Sequence, residues 1–326
     1  MLLTAGQIKE ACGETPFIFR AGVWKPRTSP RTFQGAGEEA LLWLAEVKRT
    51  FGIEVATEVT TPEQVEAALK AGINYLWIGA RSSASPISVQ SIAERIADCR
   101  LKMEDFDLKA ILIKNPVNAD AALWLGNIER LEKTGLPVIA IHRGCNHQPC
   151  WSMAHTIRQA RPDIPMLLDP SHMSGDAAKV PELMQKINEL GLNGAMVEVH
   201  HNPETALSDK AQQIKPSDLS VILGVNPIMS DSIGERLELN WLRAEIDELD
   251  SQLWDIIAAR MEVSQRIGQW KKAHNVTPLQ PERYQQIVER LKEKGEKMKD
   301  SGLATEFMLS IWELIHEESL KRQIEN

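Results

Sequence analysis

Seven short apolar runs, at residues 17–20, 54–57, 75–78, 110–114, 138–142, 166–169 and 194–199, recur through the first two thirds of the chain. Each is too short for a helix and apolar along most of its length, which is the pattern of a strand buried on both faces. Between them lie longer stretches, among them 37–50, 62–71, 121–134 and 177–190, with apolar residues three and four apart. Strands alternating with amphipathic helices every ~25–30 residues predict a parallel sheet, because each return to the same edge needs a crossover.

The residues at the ends of these runs narrow the choice of sheet. Arg20, Glu58, Arg81, Lys114, Arg143, His172 and Glu198 to His200 follow successive strands. In a closed α/β barrel all the strands' carboxyl ends face one mouth, where the active site lies. An open doubly wound sheet gathers its ligands at one switch point instead. Polar ends on strand after strand favour the barrel. No GxGxxG fingerprint follows a strand, and there is no phosphate-loop sequence.

The first of these loops is the most cationic. Arg20, Lys25 and Arg27 lie close together with Thr28 and Ser29 behind them. Guanidinium forks and a mobile ammonium suit phosphate or carboxylate, although a solvated basic turn has the same composition. The whole chain of 326 residues carries a net charge of −8. That balance argues against nucleic acid and membrane surfaces, so local basic clusters point to small anions. No run reaches the ~20 apolar residues that span a bilayer, and no secretory signal is visible. The four cysteines are irregularly spaced and read as reduced thiols. A cytoplasmic location is expected. His172, Glu198 and Asp209 offer one imidazole and two carboxylates, a set suited to a divalent first-row cation acting as Lewis acid. Helix capping and pairing with arginine are the alternative roles for such carboxylates.

Beyond about residue 233 the rhythm changes. Leu239, Leu242, Ile246, Leu249, Leu253, Ile256, Val263, Ile267 and Trp270 recur at helical spacings. They predict one helix ~50 Å long, ending near residue 273. Thr277-Pro278 breaks it, Pro281 starts a second helix, and 305–324 forms a third. Residues 226–235 read as a linker between a domain at 1–225 and another at 236–326. Three such helices do not close into a compact monomer, so a second copy of the chain is the expected partner. Arg260 and Lys271, eleven residues apart, share a helix face, whereas Arg243 stands ~25 Å from Arg260 along the axis.

Nine strings in the first ~220 residues carry a family resemblance: Phe19-Arg-Ala-Gly with Lys25-Pro-Arg-Thr-Ser, Phe33-Gln-Gly, Thr57-Glu-Val, Gly79-Ala-Arg, Lys114-Asn-Pro, His142-Arg-Gly, Asp169-Pro-Ser-His, Val197-Glu-Val-His, and Leu207-Ser-Asp with Gln212-Gln213. In this order they resemble the type I-beta 3-deoxy-D-arabino-heptulosonate 7-phosphate (DAHP) synthases. The resemblance implies a (β/α)8 TIM barrel that condenses phosphoenolpyruvate with erythrose 4-phosphate, entering the shikimate pathway. It implies that Arg20, Lys25, Arg81, Lys114 and Arg143 hold phosphoenolpyruvate. Arg27, Thr28 and Ser29 would take the phosphate of erythrose 4-phosphate. Lys25 would donate a proton to the new alkoxide. His172, Glu198 and Asp209 would bind the metal, whether Mn, Fe, Co or Zn. The family's first strand carries Gly-Pro-Cys-Ser, whose cysteine is a fourth metal ligand, and this sequence holds no such string. The simplest expectation is a sequence that begins past that strand, with weak metal binding and little synthase activity. Replacement by Cys145 or Cys150, which flank His147, is the minor alternative.

The last 90 residues resemble the all-helical AroQ-class chorismate mutases, through Leu242-Arg-Ala-Glu-Ile-Asp, Ala259-Arg, Ile267-Gly with Lys271, Arg283, and Ser319 with Gln323. The resemblance implies that Arg243, Arg260, Lys271, Arg283, Ser319 and Gln323 bind chorismate. Arg260, Lys271 and Gln323 would serve its rearrangement to prephenate. It also implies a homodimer through the helical domain. The whole then reads as a bifunctional enzyme, with prephenate as a candidate inhibitor of the barrel. The alternative is an active mutase whose truncated, metal-poor barrel is a regulatory or scaffold domain.

Overall fold

The seven apolar runs form seven strands: β1 (Phe19–Ala21), β2 (Val55–Glu58), β3 (Tyr75–Ile78), β4 (Ala110–Lys114), β5 (Val138–His142), β6 (Met166–Leu168) and β7 (Gly194–Ala195). They pair in chain order and every described pair is parallel. Helix α1 (Leu2–Cys12) precedes β1. The crossovers carry α2 (Glu39–Phe51), α3 (Pro62–Lys70), α4 (Pro86–Lys102), α5 (Ala121–Glu132), α6 (Trp151–Ala160), then α7 (Pro170–Ser174) with α8 (Val180–Glu189). After β7 come α9 (Pro216–Val225), α10 (Leu237–Ala273), α11 (Pro281–Lys297) and α12 (Thr305–Ile324). This computed structural model describes residues 1–27, 29, 31–225, 236–298 and 303–324, so Thr28 and the expected linker lie outside the described residues. The chain divides into two units, Met1–Glu245 and Ile246–Asn326.

Local chemistry starts these helices where the pattern requires. Thr61, Ser85 and Asp120 each accept a backbone N–H at the start of α3, α4 and α5, and α3 and α4 open on proline. The strands then sort side chains by parity. Ile111 and Ile113 of β4 join the large core beneath the helices, while Leu112 joins Ala56, Trp77, Ile141 and Met196 inside the curl of the sheet. Two residues beyond these interior positions stand Glu58, Gly79, Lys114, Arg143 and Glu198. The same alternation that builds the core therefore delivers polar groups to one mouth.

The sheet is seven-stranded, and among the described residues no strand joins β1 to β7. The consequence is visible in β7. The apolar run predicts a strand over 194–199, but only Gly194–Ala195 is paired as a strand, and Val199 makes a separate bridge to Ile214. A strand with a neighbour on one side only has half the ladder to hold it. Cys12, Cys99, Cys145 and Cys150 form no disulfide. No described helix is long and apolar enough to cross a membrane.

The first turns of α10 belong to the first unit. Trp241 is buried, meets Trp151 edge-on and stacks on the His155 ring at 5.4 Å. The two ring nitrogens of His155 lie 2.5 Å from Glu245 and 3.1 Å from Glu238. In the second unit α10 and α12 approach closely at Gly268, where a Cβ would lie 2.6 Å from the Cα of Gln323.

Candidate active site

A cavity of about 450 Å³ lies in the first unit, and its lining includes Lys25, Arg27, Glu58, Arg81, Lys114, Arg143, His172 and Asp209. These residues come from the ends of β2, β3, β4 and β5, from the loops after β1 and β7, and from α7 after β6. Lys114 Nζ donates to Asp169 Oδ2 at 2.6 Å, with both side chains buried. Asp169 also caps α7 by accepting the His172 backbone N–H, and it holds His172 Nδ1 at 3.0 Å. Burial by itself raises the Asp169 carboxyl, but His172 and Lys114 outweigh it and hold it well below the usual carboxylate range. Asn115 receives the Arg143 backbone N–H at 2.7 Å, fixing the loop that carries the guanidinium.

Arg20 and Glu198 are paired at 3.1 Å, and the Arg20 guanidinium lies over the Trp77 ring. With Lys25 they also line a second cavity of about 430 Å³, whose walls come from both β1 and β7. Asp209 is gripped by cations. Arg27 donates to its two oxygens at 2.8 and 2.7 Å, and Lys25 donates at 2.9 Å while also bonding Ser208. Against the upward push of burial, Arg27 and Lys25 drive the Asp209 carboxyl far below its ordinary value. Ser29 lies on the exposed loop, where its hydroxyl accepts the Arg31 N–H.

The donor types suit a divalent cation, and the geometry meets that requirement in part. His172 Nε2 stands 3.8 Å from Glu198 Oε1. Two atoms each ~2.1 Å from one ion can be up to ~4.2 Å apart, so this pair fits. Asp169 at Nδ1 leaves Nε2 as the free ligand atom, the usual arrangement behind a metal-bound histidine. Asp209 is held in its ion pairs instead, and among the described residues no three His, Cys, Asp or Glu side chains form a metal group. Cys145, His147 and Cys150 are therefore in no such group either.

Two acidic residues gain importance beyond their sequence reading. Glu58 is half-buried among the cations, and a Cβ at residue 79 would collide with its Oε1, so this side-chain position depends on Gly79. Burial pushes its carboxyl up, with Lys114, Arg20, Lys25 and Arg81 opposing. Asp169 is the common partner of Lys114 and His172. Strand parity in the sequence carries both positions, since each lies two residues past an interior apolar side chain. Gln212 also reaches Glu198, at 3.3 Å.

In the second unit Arg260 bonds the Ser319 hydroxyl and the Ile315 carbonyl, and Lys271 bonds Gln323 Oε1 at 3.0 Å and the Pro278 carbonyl. Arg260 and Lys271 share a face of α10, as their spacing predicts, and meet Ser319 and Gln323 of α12 there. His316 joins them, with burial, Arg260 and Lys271 all lowering its pKa. Arg283 is exposed on α11 and bonds Gln286. Arg243 is exposed on the part of α10 that belongs to the first unit.

Comparison with known proteins follows the same division. Residues 242–324 match the family "chorismate mutase type II". A phospho-2-dehydro-3-deoxyheptonate aldolase of Thermotoga maritima is 28% identical over 226 residues, which is 68% of this chain and 63% of that protein. The chain thus spans less than two thirds of that relative's length. A 2-dehydro-3-deoxyphosphooctonate aldolase of Bordetella petrii is 26% identical over 252 residues, covering 72% of this chain and 86% of that protein. The crystal structure of the Thermotoga maritima aldolase (DAHP synthase) superposes with a TM-score of 0.58 at 26% identity, over 69% of this chain and 63% of that one. Residues 1–226 match the family "DAHP synthetase I", and the chain belongs to that family, with a chorismate mutase type II region fused behind it.

Proposed function

We propose that the chain is a bifunctional shikimate-pathway enzyme of the cytoplasm. Its barrel condenses phosphoenolpyruvate with erythrose 4-phosphate to DAHP, and its helical region converts chorismate to prephenate as a homodimer. The observation that carries the first half is the convergence of Lys25, Arg27, Arg81, Lys114 and Arg143 on one cavity beside His172 and Asp209. Two phosphorylated substrates, one also a carboxylate, need that many cations to lie side by side. Lys114, Arg81 and Arg143 fix phosphoenolpyruvate, with Arg20 and Lys25 at its edge. Arg27, with Thr28 and Ser29, takes the phosphate of the aldose. A bound divalent cation, held by His172, Glu198 and Asp209, would supply Lewis acidity toward the aldehyde. The enol carbon attacks the aldehyde carbon and Lys25 protonates the alkoxide that forms. Water adds, with loss of a proton, to the carbon that bears the phosphate oxygen, and the C–O bond to phosphate then breaks, leaving the ketone and inorganic phosphate.

In the helical region no acid or nucleophile is required. Arg260 and Lys271 hold the substrate's carboxylates and, with Gln323, meet charge developing on the ether oxygen. The second reading, an active mutase with a metal-poor barrel, draws its support from the ion pairs that occupy Asp209.

Both activities are measured on the same preparation with added Mn²⁺. Lys114→Ala should lower phosphoenolpyruvate consumption by about 10²–10³-fold and spare the mutase; Lys271→Ala should do the reverse. Loss of neither activity would remove these residues from the two sites. A wild-type chain with mutase turnover but no synthase turnover selects the second reading.

A further inference from the structure

Arg27 is committed to Asp209 by a two-pronged contact, at 2.8 and 2.7 Å, and Lys25 completes the grip at 2.9 Å. The same Arg27 lines the anion cavity. Its Nε is buried and, among the described residues, has no hydrogen-bond partner. The guanidinium thus carries a donor that the carboxylate does not satisfy. Asp209 itself sits at φ 55°, in the left-handed region that Asp tolerates better than most non-glycine residues.

We propose that Arg27 is a latch on Asp209, and that an oxyanion opens it. A phosphate group brings at least three acceptor oxygens and more charge than a carboxylate, so it can take both prongs of Arg27 and its idle Nε. That exchange leaves Asp209, which is mostly buried, short of positive charge. A divalent cation seated on His172 Nε2 and Glu198 Oε1 restores it. Taken alone, each ligand meets an obstacle. The cation must displace Arg27 to recruit Asp209, and the anion must strand a buried carboxylate with Lys25 only. Together they exchange partners, so binding of one raises the affinity for the other, and by linkage the two factors are equal. This inference rests on the metal-ligand reading proposed above.

The test uses the full chain, Mn²⁺ and inorganic phosphate, with no substrate. Free Mn²⁺ is followed by electron paramagnetic resonance, and phosphate binding by calorimetry. In the wild type, saturating phosphate should tighten Mn²⁺ about tenfold, and saturating Mn²⁺ should tighten phosphate by the same factor. Arg27→Gln should bind Mn²⁺ more tightly than the wild type without phosphate and lose the response to it. This variant also controls for Mn²⁺–phosphate complexation in solution. Arg27→Lys, which keeps the charge but only one prong, should retain part of the response, and circular dichroism checks that both variants fold. Mn²⁺ binding that ignores phosphate in the wild type, or a full response in Arg27→Gln, overturns the latch alone. No Mn²⁺ binding under either condition overturns the metal-ligand assignment and the latch with it.

Discussion

His142 is one residue before Arg143 on β5, and parity turns it away from the cavity. Its ring is buried beside Trp124 and Trp151, with Nε2 2.6 Å from the Pro149 carbonyl. That contact needs Nε2–H, which the neutral ring supplies. Burial, against a smaller upward pull from Pro149, lowers its pKa from 6.5 to about 4. Above the ordinary value both folded and unfolded chains hold neutral His142, and it costs nothing. As pH falls through 6.5 the unfolded chain takes up a proton that the folded one refuses until about 4, so stability is lost across that window. The expected loss is about 3 kcal/mol. Urea unfolding at about pH 7.5 and about pH 4.5 measures it, and His142→Gln should remove this share of the pH dependence. An unchanged pH dependence in the variant would assign the effect to other groups. The same parity made Lys114 and Arg143 legible as site residues from strand ends alone. The roles of Glu58 and Asp169 are less legible, because the cations that face them, Lys114 above all, come from other strands.

At the scale of elements, helices were read best where caps and periodicity agree. The expected third helix at 305–324 is α12 to the residue, and α3 starts at the proline that the pattern marks. The run at 194–199 predicts a longer strand than β7, whose length depends on a neighbour and not on its own residues. Gly268 shows a second kind of information. The sequence marks a glycine in a helix, where it weakens helical propensity; the structure gives the reason, the passage of the α12 backbone at Gln323. Gly268→Ala would push the two helices apart and shift Gln323 away from Lys271. The expected result is a loss of about 1–3 kcal/mol of stability in the helical unit, together with a mutase rate lowered by about tenfold or more. Thermal unfolding and mutase kinetics check both. A variant with wild-type turnover would show that this close approach does not position Gln323.

At the scale of the molecule, α10 leaves Ile246, Leu249, Leu253, Ile256 and Val263 at least half exposed. An apolar stripe on a helix of 37 residues is the expected seam of the proposed dimer. Arg243 and Arg260 are ~25 Å apart along that helix, too far to share one small ligand within a chain. If each mutase site takes Arg243 from one chain and Arg260 from the other, Arg243→Ala and Arg260→Ala should each be inactive alone. Their heterodimer should regain one intact site of two. No recovery in a proven heterodimer would mean that Arg243 does not act in trans. The parallel α/β architecture, the helical region and the list of cations follow from the amino-acid order alone, because periodicity and caps are local properties of a chain. Which charges pair depends on the folded arrangement. Arg20 faces Glu198 across 178 residues, and Arg27 grips Asp209 across 182. Such contacts are set by the curl of the sheet, which brings β1 and β7 to the two walls of one cavity.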